Sequence, residues 1–346
     1  MTNKERTPVY YSGYLQLDKI LDAQLPMSTQ EGIKADDEML FIIIHQTYEL
    51  WFKQILHEVN IIKKIFQQPV ITDNSPDIYN TVHRLKRICS ILEVAVMQMG
   101  ILETMTPLDF LDFRDLLRPA SGFQSIQFKM IEAALGLRYE QRHGKAYYIS
   151  QLTPGDVEKV KNAEQEKSLL VLINEWLERM PFVNLQSYWP DNENASFWNK
   201  YRDAYTTSLT EGEQNNLRIF DSIFIDSANY PEGRSFSAKA SKNALFIMLY
   251  RDYPLLQLPY ELLSLLLETD EMLSMWRYRH IHMVQRTIGK RVGTGGSSGA
   301  DYLRGAADSH YIFKELSELT SFLLPRNMLP QLPDQLTQEL GYAKKL

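Results

Sequence analysis

A stretch without proline or glycine runs from Asp36 to about Phe66, and it predicts one long α-helix. Apolar residues recur in it at three- and four-residue steps, as in Phe41, Tyr48 and Phe52, and Asp36 can cap its first turn. A second face of the same helix is also largely apolar and contains Leu40, Ile43, Thr47, Leu50 and Trp51. A helix that is apolar on more than one side needs other helices to cover it, so we expect it at the centre of a bundle.

Most of the remaining chain follows the same helical periodicity. The pattern predicts further helices over residues 78–105, 107–117, 121–135, 155–180, 194–226, 236–250, 260–290 and 300–324. There is no convincing alternating strand pattern and no repeat of fixed period. The connections 182–194 and 228–236 join long helices with apolar faces, so they do not resemble domain linkers. The sequence therefore predicts an all-α fold in which residues 1–346 form a single domain.

The charge balance limits the class of partner. The chain carries 37 Lys and Arg against 43 Asp and Glu, a net charge of −6, which argues against nucleic acid or an anionic membrane surface. Cys89 is the only cysteine, so an intramolecular disulfide and a cysteine-based metal site within one chain are excluded. The N-terminus lacks the apolar core of a secretory signal, and the apolar runs are too short to span a bilayer. We expect a cytoplasmic protein.

The segment GTGGSSG at 293–299 is rich in glycine and hydroxyl side chains, and Lys290 and Arg291 precede it. A P-loop needs a lysine directly after its last glycine, and a dinucleotide-binding loop must follow a strand. This segment has no such lysine and follows a predicted helix, so neither phosphate motif fits. Its small residues could serve as a flexible connector or could fold closely over a ligand.

The histidines do not form a recognisable metal motif. His280 and His282 are two residues apart, and on a helix such side chains point about 200° away from each other, so they cannot share one ion. The absence of His-x-x-x-His and Glu-x-x-His argues against zinc or a di-iron centre on one helix. One histidine can still be the axial ligand of a haem. His45 shares the apolar face of Phe41, where a core role and a hydrogen-bonding or proton-transfer role both fit.

The segment FLDFRDLL places one arginine on an apolar helix face. Phe110, Arg114 and Leu117 are spaced at i, i+4 and i+7, so they lie on the same side. Arg114 could cover apolar surface with its stem and pair with Asp112 or Asp115. It could equally bind a ligand carboxylate through two parallel hydrogen bonds. The spacing alone leaves both alternatives open.

Three long segments carry a family resemblance: DDEMLFIIIHQTYELWFKQILHE at 36–58, FRDLLRPASGFQSIQFKMIE at 113–132 and WRYRHIHMVQRTIGKRVGTGGSSGADYLR at 276–304. YSGYLQLDKILDAQ at 11–24 and LLPRNMLP at 323–330 add to it. Together, and in this order, they closely resemble the tryptophan 2,3-dioxygenase family. The likeness covers about residues 10–135 and 245–330. One departure is Asp36 where family members commonly have histidine, at a helix start where aspartate caps well.

The resemblance implies a helical-bundle domain with a non-covalent haem pocket, assembled as an intertwined homotetramer. Ferrous haem b would be the cofactor, and L-tryptophan and O2 the substrates. Both oxygen atoms would enter across the indole C2–C3 bond to give N-formyl-L-kynurenine, the first step of the kynurenine pathway. One alternative is a related haem enzyme that inserts a single oxygen into an indole and yields a 2-oxindole-type product. A second alternative is a helical interaction protein without a cofactor.

The resemblance also implies roles for residues at the motif positions. His280 corresponds to the haem iron ligand, with Trp276 in the same motif as part of the haem site, and Ala120 and Ser121 fall near the haem and the bound O2. His45 corresponds to the distal histidine that hydrogen-bonds the indole N–H, and we assign it hydrogen bonding and orientation before proton transfer.

The substrate positions follow in the same way. Arg114 corresponds to the arginine that binds the substrate carboxylate, and Thr294 to the threonine at the ammonium and carboxylate end. The positions expected at the indole are Phe41, Phe110 and Leu117, and those expected to reach the pocket from a neighbouring subunit are Tyr11 and Tyr14. Residues from about 1 to 30 would therefore contact that neighbour.

Overall fold

The computed structural model describes residues 8–69, 71, 76–142, 152–181, 188, 193–291, 293 and 300–341. Its helices in chain order are α1 (Tyr11–Leu15), α2 (Leu17–Leu21), α3 (Met27–Gln30), α4 (Asp37–Phe66), α5 (Pro76–Leu102), α6 (Pro107–Arg114), α7 (Ile126–Leu135), α8 (Pro154–Gln165), α9 (Leu169–Arg179), α10 (Glu193–Ser208), α11 (Gln214–Phe220), α12 (Ala238–Leu249), α13 (Pro254–Ile288), α14 (Ala300–Ser309), α15 (Lys314–Glu318) and α16 (Asp334–Leu340). No strand occurs in these described ranges, and the predicted all-α fold is confirmed.

The centre of the molecule consists of three long helices. α4 packs against α5 and α7, and α13 packs along α5. With 30 and 35 residues, α4 and α13 are about 45 and 52 Å long. Val59 and Ile62 of α4 are completely buried, as the prediction of a central helix requires. Ile43 and Leu50, from the second apolar face, are 44% and 52% exposed, so that face is not covered within one chain.

The short N-terminal helices are attached to the start of α4 by a buried carboxylate. Glu38 accepts hydrogen bonds from the backbone N–H groups of Met27 and Ser28 at 2.9 and 2.8 Å. Gln46 of α4 also donates to the Ala23 carbonyl. The Glu38 bonds satisfy N–H groups at the start of α3 that have no partner within the helix, and they hold α3 beside α4.

Three predicted helices are interrupted in the structure. The 155–180 helix is divided into α8 and α9, where Ser168 accepts from the Val171 N–H and caps α9. The 194–226 helix is interrupted after Ser208 and continues as α11 and a π-turn, Asp221–Ile225. The 300–324 helix stops at Ser309, because Asp270 accepts the N–H groups of the following turn before α15.

No single helix among the described residues is long and apolar enough to cross a membrane. α5 and the segment Pro107–Leu117 are long and apolar enough only when taken together, and their axes are bent by 89° relative to each other.

Candidate active site

A cavity of about 280 Å³ lies between α4, α5, α6, α7, α13 and α14. Its walls are mainly apolar and aromatic, with a small number of polar groups, which is the usual composition of a small-molecule site. The cavity receives Phe41, His45, Tyr48, Glu49 and Phe52 from a single face of α4. The helical spacing of these five residues explains why one helix supplies a whole wall.

His45 is held in one orientation by the backbone of its own helix. Its Nδ1 lies 2.7 Å from the Phe41 carbonyl oxygen, which can only accept a hydrogen bond, so Nδ1 carries the proton. The Phe41 ring packs beside the imidazole, with the ring centroids 4.1 Å apart. Burial lowers the pKa of His45, against the opposing effects of the Phe41 carbonyl and Glu49. A neutral His45 therefore presents Nε2 as a hydrogen-bond acceptor.

His280 projects from α13 into the same cavity. Its ring makes no hydrogen bond with any of the described residues, and the Trp276 ring packs at a centroid distance of 5.3 Å. Burial, with a further contribution from His45, lowers the pKa of His280 to about 4. The imidazole is neutral at physiological pH, which is the form that binds a metal ion.

An aromatic cluster fixes the wall around His280. Trp276 packs against Phe128 of α7 at 4.8 Å and against Phe52 of α4 at 5.8 Å between ring centroids. Tyr48 meets the same indole edge-on at 6.0 Å, and its hydroxyl donates to the Ala95 carbonyl of α5. Rings from α4, α7 and α13 thus interlock, and this arrangement fixes the position of α13 relative to α4.

Arg114 lies at the C-terminal end of α6. The helix begins with a capping box in which Thr106 and Asp109 bond each other's backbone N–H groups, and Pro107 occupies the first turn. The Arg114 side chain is only 7% exposed and contributes to the cavity wall. Its nearest ion pair with a described carboxylate is to Asp115 at 4.0 Å, and Asp115 is 80% exposed. A guanidinium in this position fits a carboxylate ligand.

The structure brings together many, but not all, of the predicted site residues. Those in the cavity wall are Phe41, His45, Phe110, Arg114, Ser121, Trp276 and His280. Leu117 packs against the core instead, and Ala120 is exposed. Tyr11 and Tyr14 are 75% and 74% exposed on α1 and do not line the cavity of their own chain. Thr294 lies outside the described residues, although its neighbour Gly293 lines the cavity.

The sequence did not reveal a buried charged cluster around Glu132 in the cavity wall. Glu132 binds Arg142 at 2.6 Å, Arg277 at 2.7 Å and His310 Nδ1 at 3.2 Å. Burial alone would raise the pKa of this carboxyl, but Arg142, His310 and Arg277 together hold it well below its usual value. Lys129 lines the cavity one turn before Glu132. Lys129, Glu132 and Arg277 lie within the segments 113–132 and 276–304 that carry the family resemblance, but no spacing pattern singled them out.

Nowhere in the described part of the chain do three His, Cys, Asp or Glu side chains group as metal ligands would. Besides the cluster around Glu132, the cavity wall contains the neutral imidazoles of His45 and His280, several aromatic rings and the buried Arg114. These features define a class: an all-helical protein with an internal site for a flat aromatic group and a small anionic ligand.

Comparisons with known proteins specify the family. The family model described as tryptophan 2,3-dioxygenase matches residues 1–323. A protein of that name from Alteromonas mediterranea is 42% identical over 366 residues, covering 98% of this chain and 99% of its own. Those from Bdellovibrio bacteriovorus and Dictyostelium discoideum are 40% and 41% identical, covering 97% of this chain and 98% and 88% of their own. The chain belongs to the tryptophan 2,3-dioxygenase family.

Proposed function

We propose that this protein uses O2 to cleave the indole C2–C3 bond of L-tryptophan and forms N-formyl-L-kynurenine. The observation that carries the proposal is the convergence of His45, His280 and Arg114 on one largely apolar cavity. Together they provide a hydrogen-bond acceptor, a metal-binding imidazole and a cation for a carboxylate. Both atoms of O2 end in the product, so the reaction needs no external reductant once the iron is ferrous. Family membership favours this reaction over insertion of a single oxygen atom.

The residues present fit a haem group. His280 faces the cavity as a neutral imidazole without a hydrogen bond among the described residues, so it would be available to hold the haem iron. Trp276 and Phe128 supply flat apolar surface beside it. We assign His280 as the iron ligand, with Trp276, Ser121 and Ala120 at the haem. When bound, ferrous haem supplies the open coordination position at which O2 is activated.

His45 would orient the indole. Because its Nδ1 proton is held by the Phe41 carbonyl, Nε2 is left to accept a hydrogen bond from the indole N–H. A neutral histidine can do this without removing the indole proton. Its contribution is the correct placement of C2 and C3, which accounts for a large part of catalysis when a reactant must meet a second molecule in one geometry.

Arg114 would fix the opposite end of the amino acid. A guanidinium fork matches a carboxylate through two parallel hydrogen bonds, and the mainly apolar surroundings strengthen them. Phe41 and Phe110, whose ring centroids lie 5.7 Å apart, form an apolar wall suited to the indole. We propose Leu117, Thr294, Tyr11 and Tyr14 as further substrate contacts, the two tyrosines from a neighbouring subunit.

We also propose a homotetramer in the cytoplasm. The exposed apolar side chains support assembly. On α1–α4 and the adjoining turns they include Tyr10, Tyr11, Tyr14, Leu21, Leu25, Ile43 and Leu50. Exposed apolar side chains in such number on one part of the chain are typical of a protein interface. Sedimentation velocity of the purified protein measures the state directly.

The reaction is tested with L-tryptophan, a reductant and 18O2. Mass spectrometry should find two labelled oxygens in a ring-opened product. One label on an intact ring would replace this proposal with single-oxygen insertion. A protein without a Soret band after reconstitution with haem would favour the interaction protein instead.

The iron ligand is tested by substitution. His280→Ala should lose tightly bound haem, measured as the ratio of Soret to protein absorbance. His282→Ala is the matched control, because His282 is exposed on the same helix and should retain the wild-type ratio. Equal haem content in both variants would place the ligand elsewhere.

A further inference from the structure

The backbone at Gly293 lines the same cavity as the last turn of α13. Thr287 and Ile288 contribute to the wall at the end of the helix, and Gly293 contributes to it again five residues after Ile288. In a continued helix, five more residues would carry the chain about 7.5 Å further along the axis. Gly293 has no side chain, so this part of the wall consists of backbone atoms. Its position therefore depends on how the chain leaves the helix.

The chain leaves α13 through a tight turn at Gly289. The Ile288 carbonyl oxygen accepts a hydrogen bond from the Arg291 N–H at 3.1 Å, which closes a turn of four residues. Gly289 has a φ of 59° and a ψ of −123°. The first central residue of a type II′ turn has about +60° and −120°, the mirror image of the type II values. Gly289 thus ends the helix and redirects the chain sharply.

The backbone conformation of Gly289 is one that a side chain opposes. Residues with a Cβ atom rarely adopt a positive φ, because the Cβ atom clashes with the backbone. Gly289 is exposed, and a Cβ atom added to it would meet no atom of the described residues within 4 Å. A substitution at this position therefore opposes the turn without disturbing the packing around it.

We propose that Gly289 is a positioning residue for the substrate, because its turn holds the Gly293 backbone in the cavity wall. The inference rests on the proposed function. Backbone N–H and C=O groups in a cavity wall can bind the polar groups of a ligand. A residue that opposes the turn lowers the population in which this wall is complete, and it weakens the apparent affinity for the ligand by the same factor. Once the substrate is bound the wall is complete, so turnover is maintained.

The test compares the haem-loaded wild type with Gly289→Ala and Gly289→Asn. Alanine should raise KM for L-tryptophan about tenfold or more, the effect of one strained backbone conformation, and leave kcat within about twofold. The dissociation constant of L-tryptophan, measured by calorimetry without O2, should rise by the same factor as KM. Asparagine should lie between glycine and alanine, because it tolerates a positive φ better than alanine although its side chain is larger. The ratio of Soret to protein absorbance should be the same in all three proteins.

Gly233→Ala is the matched control. Gly233 is also exposed and has a positive φ of 80°, and an added Cβ atom would likewise meet no described atom within 4 Å. It lies before α12 and is not among the described residues that line the cavity. Alanine at this position should leave KM and the dissociation constant at their wild-type values. Equal rises in Gly233→Ala and Gly289→Ala would show only a general effect of backbone strain and would overturn the inference.

Three further results would overturn the role of Gly289. They are an unchanged KM in Gly289→Ala, a larger loss of affinity with asparagine than with alanine, and a loss of bound haem in both variants. If Gly289→Ala does not fold, the affinity of Gly289→Asn relative to Gly233→Asn decides the outcome. The proposed function fails separately. A wild-type protein that does not cleave L-tryptophan refutes both proposals, whereas one that cleaves it while the Gly289 variants bind it equally tightly refutes only the role of Gly289.

Discussion

Two buried arginines of the cavity wall, Arg277 and Arg114, differ in the distance and exposure of the nearest described carboxylate. Arg277 is bound by Glu132 at 2.7 Å and donates to the His310 carbonyl at 3.1 Å. Arg114 is just as buried, yet its nearest ion pair with a described carboxylate is at 4.0 Å, to a side chain that is mostly in solvent. The first site joins parts of the protein to one another, whereas we propose that the second binds the carboxylate of the substrate. Burial alone therefore does not identify a binding residue.

The largest effect on stability is expected at Glu132, because loss of its charge leaves the buried Arg142 and Arg277 without this shared carboxylate. We expect Glu132→Gln to lower the free energy of unfolding by about 3–5 kcal/mol, the usual result of breaking a buried ion pair. Chemical denaturation of the two proteins measures it. Glu58→Gln is the matched control. Glu58 is also buried and binds two arginines, but Arg84 and Arg87 are 27% and 42% exposed and can be solvated.

The same variant makes a pH prediction. The pKa of Glu132 in the folded protein lies well below 4.5, so its stabilisation is complete above that pH and is lost as the pH falls further. The difference in stability between wild type and Glu132→Gln should shrink in acid. Similar losses of unfolding free energy for Glu132→Gln and Glu58→Gln at neutral pH would contradict the prediction, because they would show that burial of the arginine partners does not matter.

The Arg114 site should affect binding more than folding. We expect Arg114→Met to weaken L-tryptophan by about 2–5 kcal/mol, the typical cost of losing one partner of a buried charge pair. It should barely weaken 3-methylindole, which has no carboxylate. Optical titration of the haem protein measures both affinities. The control is Arg118→Met, a neighbour that is 56% exposed and pairs with Asp115. Equal losses for both ligands would show that Arg114 supports the fold instead.

The sequence provided no indication of the charged cluster around Glu132, but it did indicate Arg114 as a candidate binding residue. Arg114 could be singled out because it lies between Phe110 and Leu117 on one predicted helix face, a local pattern. Glu132 could not, because its partners are brought together only by tertiary packing. Arg142 is 10 residues away and follows a turn, and His310 is 178 residues away. Periodicity identifies a helix face, but it does not specify which distant charge will meet it.

The helices show the same limit. The span of α4 was predicted to within a residue because no proline or glycine interrupts it. The expected 300–324 helix was wrong because a side chain from another helix, Asp270, binds the backbone at its break. A residue that competes for backbone N–H groups from outside the segment leaves no signal within the segment itself.

The smallest change in stability is expected at Asp270. This buried carboxylate accepts hydrogen bonds from backbone N–H groups instead of forming an ion pair. Its Oδ2 accepts from the N–H groups of Ile312 and Phe313, and its Oδ1 has no hydrogen-bond partner among the described residues. Burial raises its pKa to about 6, with the Phe313 N–H and Arg277 acting in the opposite direction. A raised carboxyl pKa favours the folded protein below the unfolded value of 3.8, and this advantage is lost as the pH rises through about 6.

Asp270→Asn keeps both N–H bonds and cannot ionise, so it should gain on the order of 2 kcal/mol relative to wild type between pH 4 and 7. Denaturation at several pH values measures the gain, and Asp252→Asn, at an exposed ion pair with Arg326, should show little of it. A stability difference that stays constant with pH would mean that Asp270 is as well neutralised as Glu132.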